Sequence, residues 1–162
     1  MIVRARTDGV EATRALARAL SSLVAPGDLI LLAGELGAGK TAFAQGFGAG
    51  LGVEEQITSP TFTLARHYEG RLVLHHVDVY RLERLSELQD VGIAELLDSG
   101  GVLLIEWGDA IAPALPADYL EIRLTYGEGD DDRALELRCV GERWSARARV
   151  LGETLAPWKE AG

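Results

Sequence analysis

The sequence predicts an α/β fold: a mixed sheet with parallel core strands, antiparallel edge strands and flanking helices. Three observations predict it. Leu29–Ala33 and Val102–Ile105 are short runs that are apolar at every position and bounded by turn residues. Such runs suit strands buried on both faces, as parallel strands are. Third, Leu120–Leu124 and Ala134–Leu137 alternate on either side of a Gly127–Asp132 turn, which reads as an antiparallel hairpin.

The elements follow in order. Asp8 is a plausible N-cap for a helix that repeats Leu16, Leu20, Leu23 and Val24 at helical spacing, and Pro26-Gly27-Asp28 stops it. The strand Leu29–Ala33 runs into a glycine-rich loop, then into a helix with Phe43, Phe47 and Leu51 on one side. The stretch Thr61–Val77 reads as a second hairpin around Glu69-Gly70, its second arm ending at His76-Val77-Asp78. Leu82–Leu97 is helical in pattern, broken near Gly92 and stopped by Gly100-Gly101. The strand Val102–Ile105 closes with Glu106-Trp107, and Pro113 and Pro116 mark a loop. A last helix carries Trp144, Ala148, Leu151 and Leu155 on one face, with Arg143, Arg147 and Arg149 read as its solvated side. No repeat or low-complexity linker divides the 162 residues, so residues 1–162 are expected to form a single domain.

Composition excludes several classes of function. With 25 acidic against 16 basic residues the formal net charge is -9, which disfavours a general nucleic-acid binder because phosphate neutralisation needs clustered positive charge. No apolar run approaches the roughly 20 residues of a membrane helix. The start lacks the apolar stretch of a secretory signal, and one cysteine, Cys139, forms no internal disulfide. A cytoplasmic location is expected. Of the 16 basic residues only Lys40 and Lys159 are lysine. A lysine inside a motif therefore marks a place that a guanidinium does not suit.

Lys40 lies in such a motif. Gly34-Glu35-Leu36-Gly37-Ala38-Gly39-Lys40-Thr41 matches G-x-x-x-x-G-K-[ST], the phosphate-binding P-loop. Glycines let successive backbone N–H groups turn inward around an anion, and the helix that follows adds its positive end there. Gly34, Glu35, Leu36, Gly37, Ala38, Gly39, Lys40, Thr41 and Ala42 are accordingly candidate ATP contacts, with Lys40 on the β and γ phosphates and the Thr41 hydroxyl toward magnesium. A second acid is needed for the metal and the attacking water, at the end of a neighbouring strand. Glu106 and Asp78 are both candidates; Glu106 ends the better strand. Hydroxyls at Ser59 and Thr61 are placed to act as a switch-like segment near the γ-phosphate. His75-His76 is disfavoured as a metal site, since adjacent strand residues point to opposite faces.

Four blocks together, GELGAGKT (Gly34–Thr41), SPTFTL (Ser59–Leu64), HVDVYRL (His76–Leu82) and IEW (Ile105–Trp107), resemble the bacterial TsaE (YjeE-type) family. The resemblance covers roughly residues 8–126, and each block is in the family's order. The family's usual blocks are GDLGAGKT, SPTF, HFDLYR and IEWPE, so Glu35, Val77, Val79 and Gly108-Asp109 depart from the pattern. Beyond Gly127 the match weakens, although Arg133 stands where the family often has a basic residue near the nucleotide base.

The resemblance implies a P-loop ATPase required for making threonylcarbamoyladenosine in tRNA, working with the TsaD and TsaB proteins. It implies Lys40 and the loop amides on phosphates, Thr41 and Glu106 at magnesium, Asp78 as an active-site acid, and Ser59 and Thr61 in a switch. With net charge -9, the isolated chain is expected not to bind tRNA tightly by itself. Two rivals share the P-loop. A small-molecule kinase needs an arginine lid, for which Arg81 and Arg84 are thin material. A non-catalytic nucleotide-gated module has no need of Asp78 and Glu106.

Overall fold

The computed structural model describes residues 1–35, 37–58, 65–78, 92–107 and 116–160. Its first element is a strand, β1 (Ile2–Thr7), which the sequence analysis did not anticipate. Val3, Ala5 and Thr7 turn inward while Ile2, Arg4 and Arg6 stay outside. Helix α1 (Val10–Ser21) starts one residue later than expected, with Gly9 and not Asp8 at the cap. It buries Leu16, Ala17 and Leu20 completely. Leu23 and Val24 lie beyond its end, in a turn that Asp28 closes by accepting the Ala25 amide at 2.7 Å.

Strand β2 (Leu29–Gly34) is buried along almost its whole length, as an all-apolar run requires. Helix α2 (Lys40–Gly50) follows the loop and packs on α1. Phe43 and Phe47, one turn apart, stack with centroids at 6.4 Å. Close approach of the two helices depends on a glycine. A Cβ built at Gly46 falls 2.2 Å from the carbonyl oxygen of Arg14 in α1. Arg14 in turn donates from Nη2 to Gln45 Oε1 at 2.9 Å, and Gln45 Nε2 donates to the Ile57 carbonyl at 3.1 Å.

The remaining elements are β3 (Ala65–Tyr68), β4 (Leu74–Asp78), helix α3 (Ile93–Asp98), β5 (Val102–Trp107), β6 (Tyr119–Tyr126), β7 (Arg133–Val140), and short helices α4 (Glu142–Ser145) and α5 (Ala148–Thr154). Among the described residues the strands form one seven-stranded sheet in the order β1-β7-β6-β2-β5-β4-β3. β2 is parallel to β5 and to β6, and β4 is parallel to β5. The antiparallel pairs are β3–β4 at one edge and β6–β7 with β1–β7 at the other. The expected mixed sheet is therefore found, with antiparallel strands at both edges. The expected helix over residues 82–97 is described only from Gly92, which begins α3 with φ of 72°; its earlier part lies outside the described residues.

Two apolar layers flank the sheet. Ile30, Leu32 and Leu104 face α1 and α2, whereas Leu29, Leu31, Leu103 and Ile105 face the opposite side. At the C-terminal end, Trp144, Ala148, Leu151 and Leu155 are buried as their spacing predicts, but in two short helices and not one.

The arginines there correct the expectation of a wet face. Arg147 donates to both oxygens of the buried Asp28, at 2.5 and 3.0 Å, and its guanidinium stacks 4.4 Å above the Trp144 ring. Arg143 adds a second ion pair to Asp28 at 3.1 Å. A buried carboxylate needs such partners, because leaving it unpaired costs several kcal/mol. Only Arg149, 92% exposed and paired with Glu153 one turn on, is the solvated residue expected. Beyond α5 the chain returns to the sheet edge, where the Glu160 amide donates to the Arg4 carbonyl at 3.1 Å. Among the described residues no helix is long and apolar enough to cross a membrane.

Candidate functional site

The loop between β2 and α2 has the conformation that its glycines allow. Gly37 and Gly39 adopt φ of 82° and 107°, left-handed values that side chains resist. Gly34 lies so close to β6 that a Cβ there falls 2.8 Å from the Leu124 carbonyl oxygen. The Ala38 amide donates back to the Glu35 carbonyl at 3.0 Å, closing a tight turn, and Ala38 is fully buried. Helix α2 then begins at Lys40. Its first bond runs from the Phe43 amide to the Gly39 carbonyl, at 2.9 Å. The amides of Lys40, Thr41 and Ala42 therefore stand at the helix start, where no carbonyl one turn back can receive them. That is the arrangement an anion takes up.

Strand register brings the two candidate acids together. Asp78 pairs with Glu106 across β4 and β5, and Glu106 in turn pairs with Leu32 of β2, two residues before the loop. Both carboxylates thus lie at the carboxyl ends of parallel strands, Glu106 on the strand next to the one that leads into the loop and Asp78 one strand further out. The sequence left Asp78 and Glu106 as competing choices; the structure makes them neighbours. Side chains two apart on a strand share a face, so His76 points to the same side as Asp78. His76 is fully buried, Glu106 is 4% exposed, and Nε2 of the histidine lies 2.9 Å from Oε1 of the glutamate.

His76 is the residue that sequence reasoning missed at this site. The available signal was its two-residue spacing from Asp78. Its neighbour His75 points to the other face, as expected. There the Nδ1 atoms of His67 and His75 lie 2.8 Å apart, and His75 Nε2 lies 3.1 Å from Ser99 Oγ. Ser99 donates its hydroxyl proton to the Leu96 carbonyl, so it accepts from His75 Nε2–H, and His67 donates to His75 Nδ1. Burial, then the neighbouring His67, push the His75 imidazole below the usual histidine range. Among the described residues no three His, Cys, Asp or Glu side chains converge as a metal cluster. Magnesium in phosphate sites takes only one or two protein oxygens and retains waters, so the Thr41 hydroxyl and the Glu106 carboxylate are donors of the right kind and number.

Arg133, expected near the base, packs against the back of the loop. It donates from Nε to the Ala38 carbonyl at 3.2 Å and lies 4.6 Å from the centroid of the Tyr126 ring. Nη1 donates to the Asp130 and Asp132 carbonyls at 2.9 and 2.8 Å. The β6–β7 hairpin thus braces the glycine-rich turn. Leu36, Ser59 and Thr61 lie outside the described residues, as do Arg81 and Arg84, the arginines of the kinase alternative.

Residues 7–135 match the family model of the threonylcarbamoyl adenosine biosynthesis protein TsaE. The chain belongs to the TsaE family. Residue 135 lies in β7, so the TsaE match takes in Arg133 and reaches past the point where the sequence resemblance weakens. The chain is 42% identical to the tRNA threonylcarbamoyladenosine biosynthesis protein TsaE of Bacillus subtilis (strain 168) over 147 residues, 90% of this chain and 91% of that one. It is 41% identical to the TsaE protein of Streptomyces coelicolor over 139 residues, 82% of this chain and 93% of that one. A crystal structure of Bacillus subtilis YdiB superposes with a TM-score of 0.78 at 36% identity, covering 94% of this chain and 95% of that one. The sheet described above is thus the TsaE fold.

Proposed function

We propose that the chain is a magnesium-dependent ATPase that supports the threonylcarbamoyladenosine modification of tRNA in the cytoplasm, in an assembly with TsaD and TsaB proteins. The observation that carries the ATPase reading is the register of Asp78 against Glu106, the latter one strand away from a loop whose left-handed glycines and helix-start amides suit a triphosphate. Lys40 and the amides of Gly37 to Ala42 hold the phosphate oxygens as negative charge shifts toward the leaving group. Thr41 and Glu106 would hold a magnesium ion, which would supply positive charge to offset the charge developing on the phosphates. Asp78 orients the attacking water and takes up its proton as the bond from the γ-phosphorus to the bridging oxygen breaks. The products are ADP and phosphate, with no acceptor other than water.

Membership of the TsaE family supports the place in tRNA modification, and the family resemblance supports the two partners. The expected weak affinity of the isolated chain for tRNA makes such partners necessary for any action on tRNA. The test incubates the purified chain with ATP and no acceptor, with magnesium or with EDTA, and measures ADP. Release of ADP with magnesium alone is expected. No ADP under either condition, with ADP appearing only on addition of a small hydroxyl or amine acceptor, would overturn the reading in favour of a kinase. A pull-down of TsaD and TsaB with ATP, with ADP and without nucleotide tests the assembly; no recovery under any condition would remove it.

A further inference from the structure

His76 has no role in the steps above, yet it is the most thoroughly enclosed polar side chain at the site. It is 0% exposed, it stands on the same face of the sheet as Asp78, and its Nε2 lies 2.9 Å from Glu106 Oε1. Its other nitrogen, Nδ1, is buried with no hydrogen-bond partner among the described residues. The contact with Glu106 assigns the donor. A carboxylate oxygen accepts, so Nε2 is the nitrogen that carries the proton toward Glu106, while Nδ1 is left without a partner among the described residues. A buried imidazole with one nitrogen unsatisfied is a cost to folding of the kind that native proteins seldom carry without a use.

The geometry points to His76 as a positioning residue for Glu106. By committing Oε1 to its Nε2–H, it fixes the carboxylate plane and leaves Oε2 for the metal ion or a water bound to it. The two strands make this possible. β4 and β5 are parallel, with Asp78 opposite Glu106, so a histidine two residues before Asp78 reaches diagonally forward to the glutamate. A leucine or methionine there would fill the volume and leave the carboxylate free to rotate. Hydrogen-bonded partners of metal-ligating carboxylates generally contribute about tenfold to a hundredfold in metal affinity. The inference rests on the proposed placement of magnesium at Glu106.

The experiment uses the full chain and three variants: His76→Met, which removes the donor; His76→Gln, whose Nε2 can replace it; and Glu106→Gln as the reference for loss of the acid. Binding of a fluorescent ADP analogue is titrated first in EDTA and then against magnesium at fixed nucleotide. Manganese binding by electron paramagnetic resonance gives a second readout independent of turnover. His76→Met is expected to raise the half-saturating magnesium at least tenfold while nucleotide affinity in EDTA stays within twofold. His76→Gln is expected to recover most of that shift. Half-saturation within twofold of the parent in His76→Met overturns the inference. So do equal shifts in Met and Gln variants, or a loss of nucleotide affinity in EDTA as large as the loss with magnesium, since a merely structural histidine would produce those patterns. If His76→Met does not fold, His76→Gln decides alone: a magnesium requirement within threefold of the parent supports the donor role, and a tenfold rise overturns it. Failure of the underlying reading has a different signature: the parent chain itself would bind nucleotide equally with and without magnesium, or Glu106→Gln would leave the magnesium requirement unchanged.

Discussion

Substituting Gly46 with alanine tests the packing that seats the P-loop helix. The new Cβ would sit 2.2 Å from the Arg14 carbonyl oxygen and 2.6 Å from its Cα. Both are backbone atoms of α1, so no side-chain rotation relieves the overlap. A normal contact requires the helices to separate by roughly 1 Å, and the van der Waals contacts along that seam weaken with them. Overpacking of this kind costs about 1–3 kcal/mol, and the backbone contact argues for the upper end. Alanine returns roughly 1 kcal/mol through helix propensity, leaving a net loss of about 2 kcal/mol. For a chain of this size that lowers the melting temperature by about 4–8 °C. Gly152 in α5 supplies the control, since a Cβ there meets nothing within 4 Å. Gly152→Ala should raise the melting temperature by about 2–4 °C through propensity alone. Circular dichroism melts of parent and both variants measure the difference. A Gly46→Ala protein that melts at or above the parent temperature would refute the reasoning.

Three further outcomes are expected. Lys40→Ala should weaken ATP binding about tenfold to a hundredfold, the worth of a charged phosphate contact, while shifting the melting temperature little; nucleotide titration and a melt on one sample check both. Asp28→Ala removes the carboxylate shared by Arg147 and Arg143 and should destabilise the fold by about 3 kcal/mol, read by urea denaturation. The buried His75 has a pKa lowered in the folded state, so the unfolded chain takes up its proton more readily. Its contribution to stability is complete above the ordinary histidine range, near 6.5, and is lost as the pH falls through the lowered value. Urea midpoints measured downward from about pH 7 should fall more steeply in the parent than in His75→Gln; parallel curves would contradict this.

What the sequence disclosed, and what it withheld, divides along the distance between partners. β2, α2, β5 and the β6–β7 hairpin were legible because each rests on a local pattern: an apolar run, a glycine-rich motif, an alternation around a turn. β1 has the same alternation, but its partner is β7, more than a hundred residues away, and no turn announces the pairing. The pairing of Arg147 with Asp28 spans 119 positions and was invisible for the same reason; arginines on a helix near the C-terminus look wet until the acid they meet is known. At the site, the P-loop was fully legible as a motif. The adjacency of Asp78 and Glu106 was not, because it depends on the β4–β5 register, and the His76 contact depends on that register too.

The strand order also sets a timetable for the nascent chain. β2 lies between β5 and β6, and β1 waits for β7, so the first two strands made have no sheet partner until the second half has been translated. At about 5–20 residues per second, the interval between the emergence of β1 and that of β7 is on the order of ten seconds. Closing loops of that length is entropically slow, and sheets dominated by distant pairings fold late. The glycine-rich loop can be synthesised early but has no floor to rest on until β5 and β6 arrive. On the proposed function, nucleotide capture would be deferred until β6 has been made, and chains truncated before β6 would carry an intact motif without the floor it rests on.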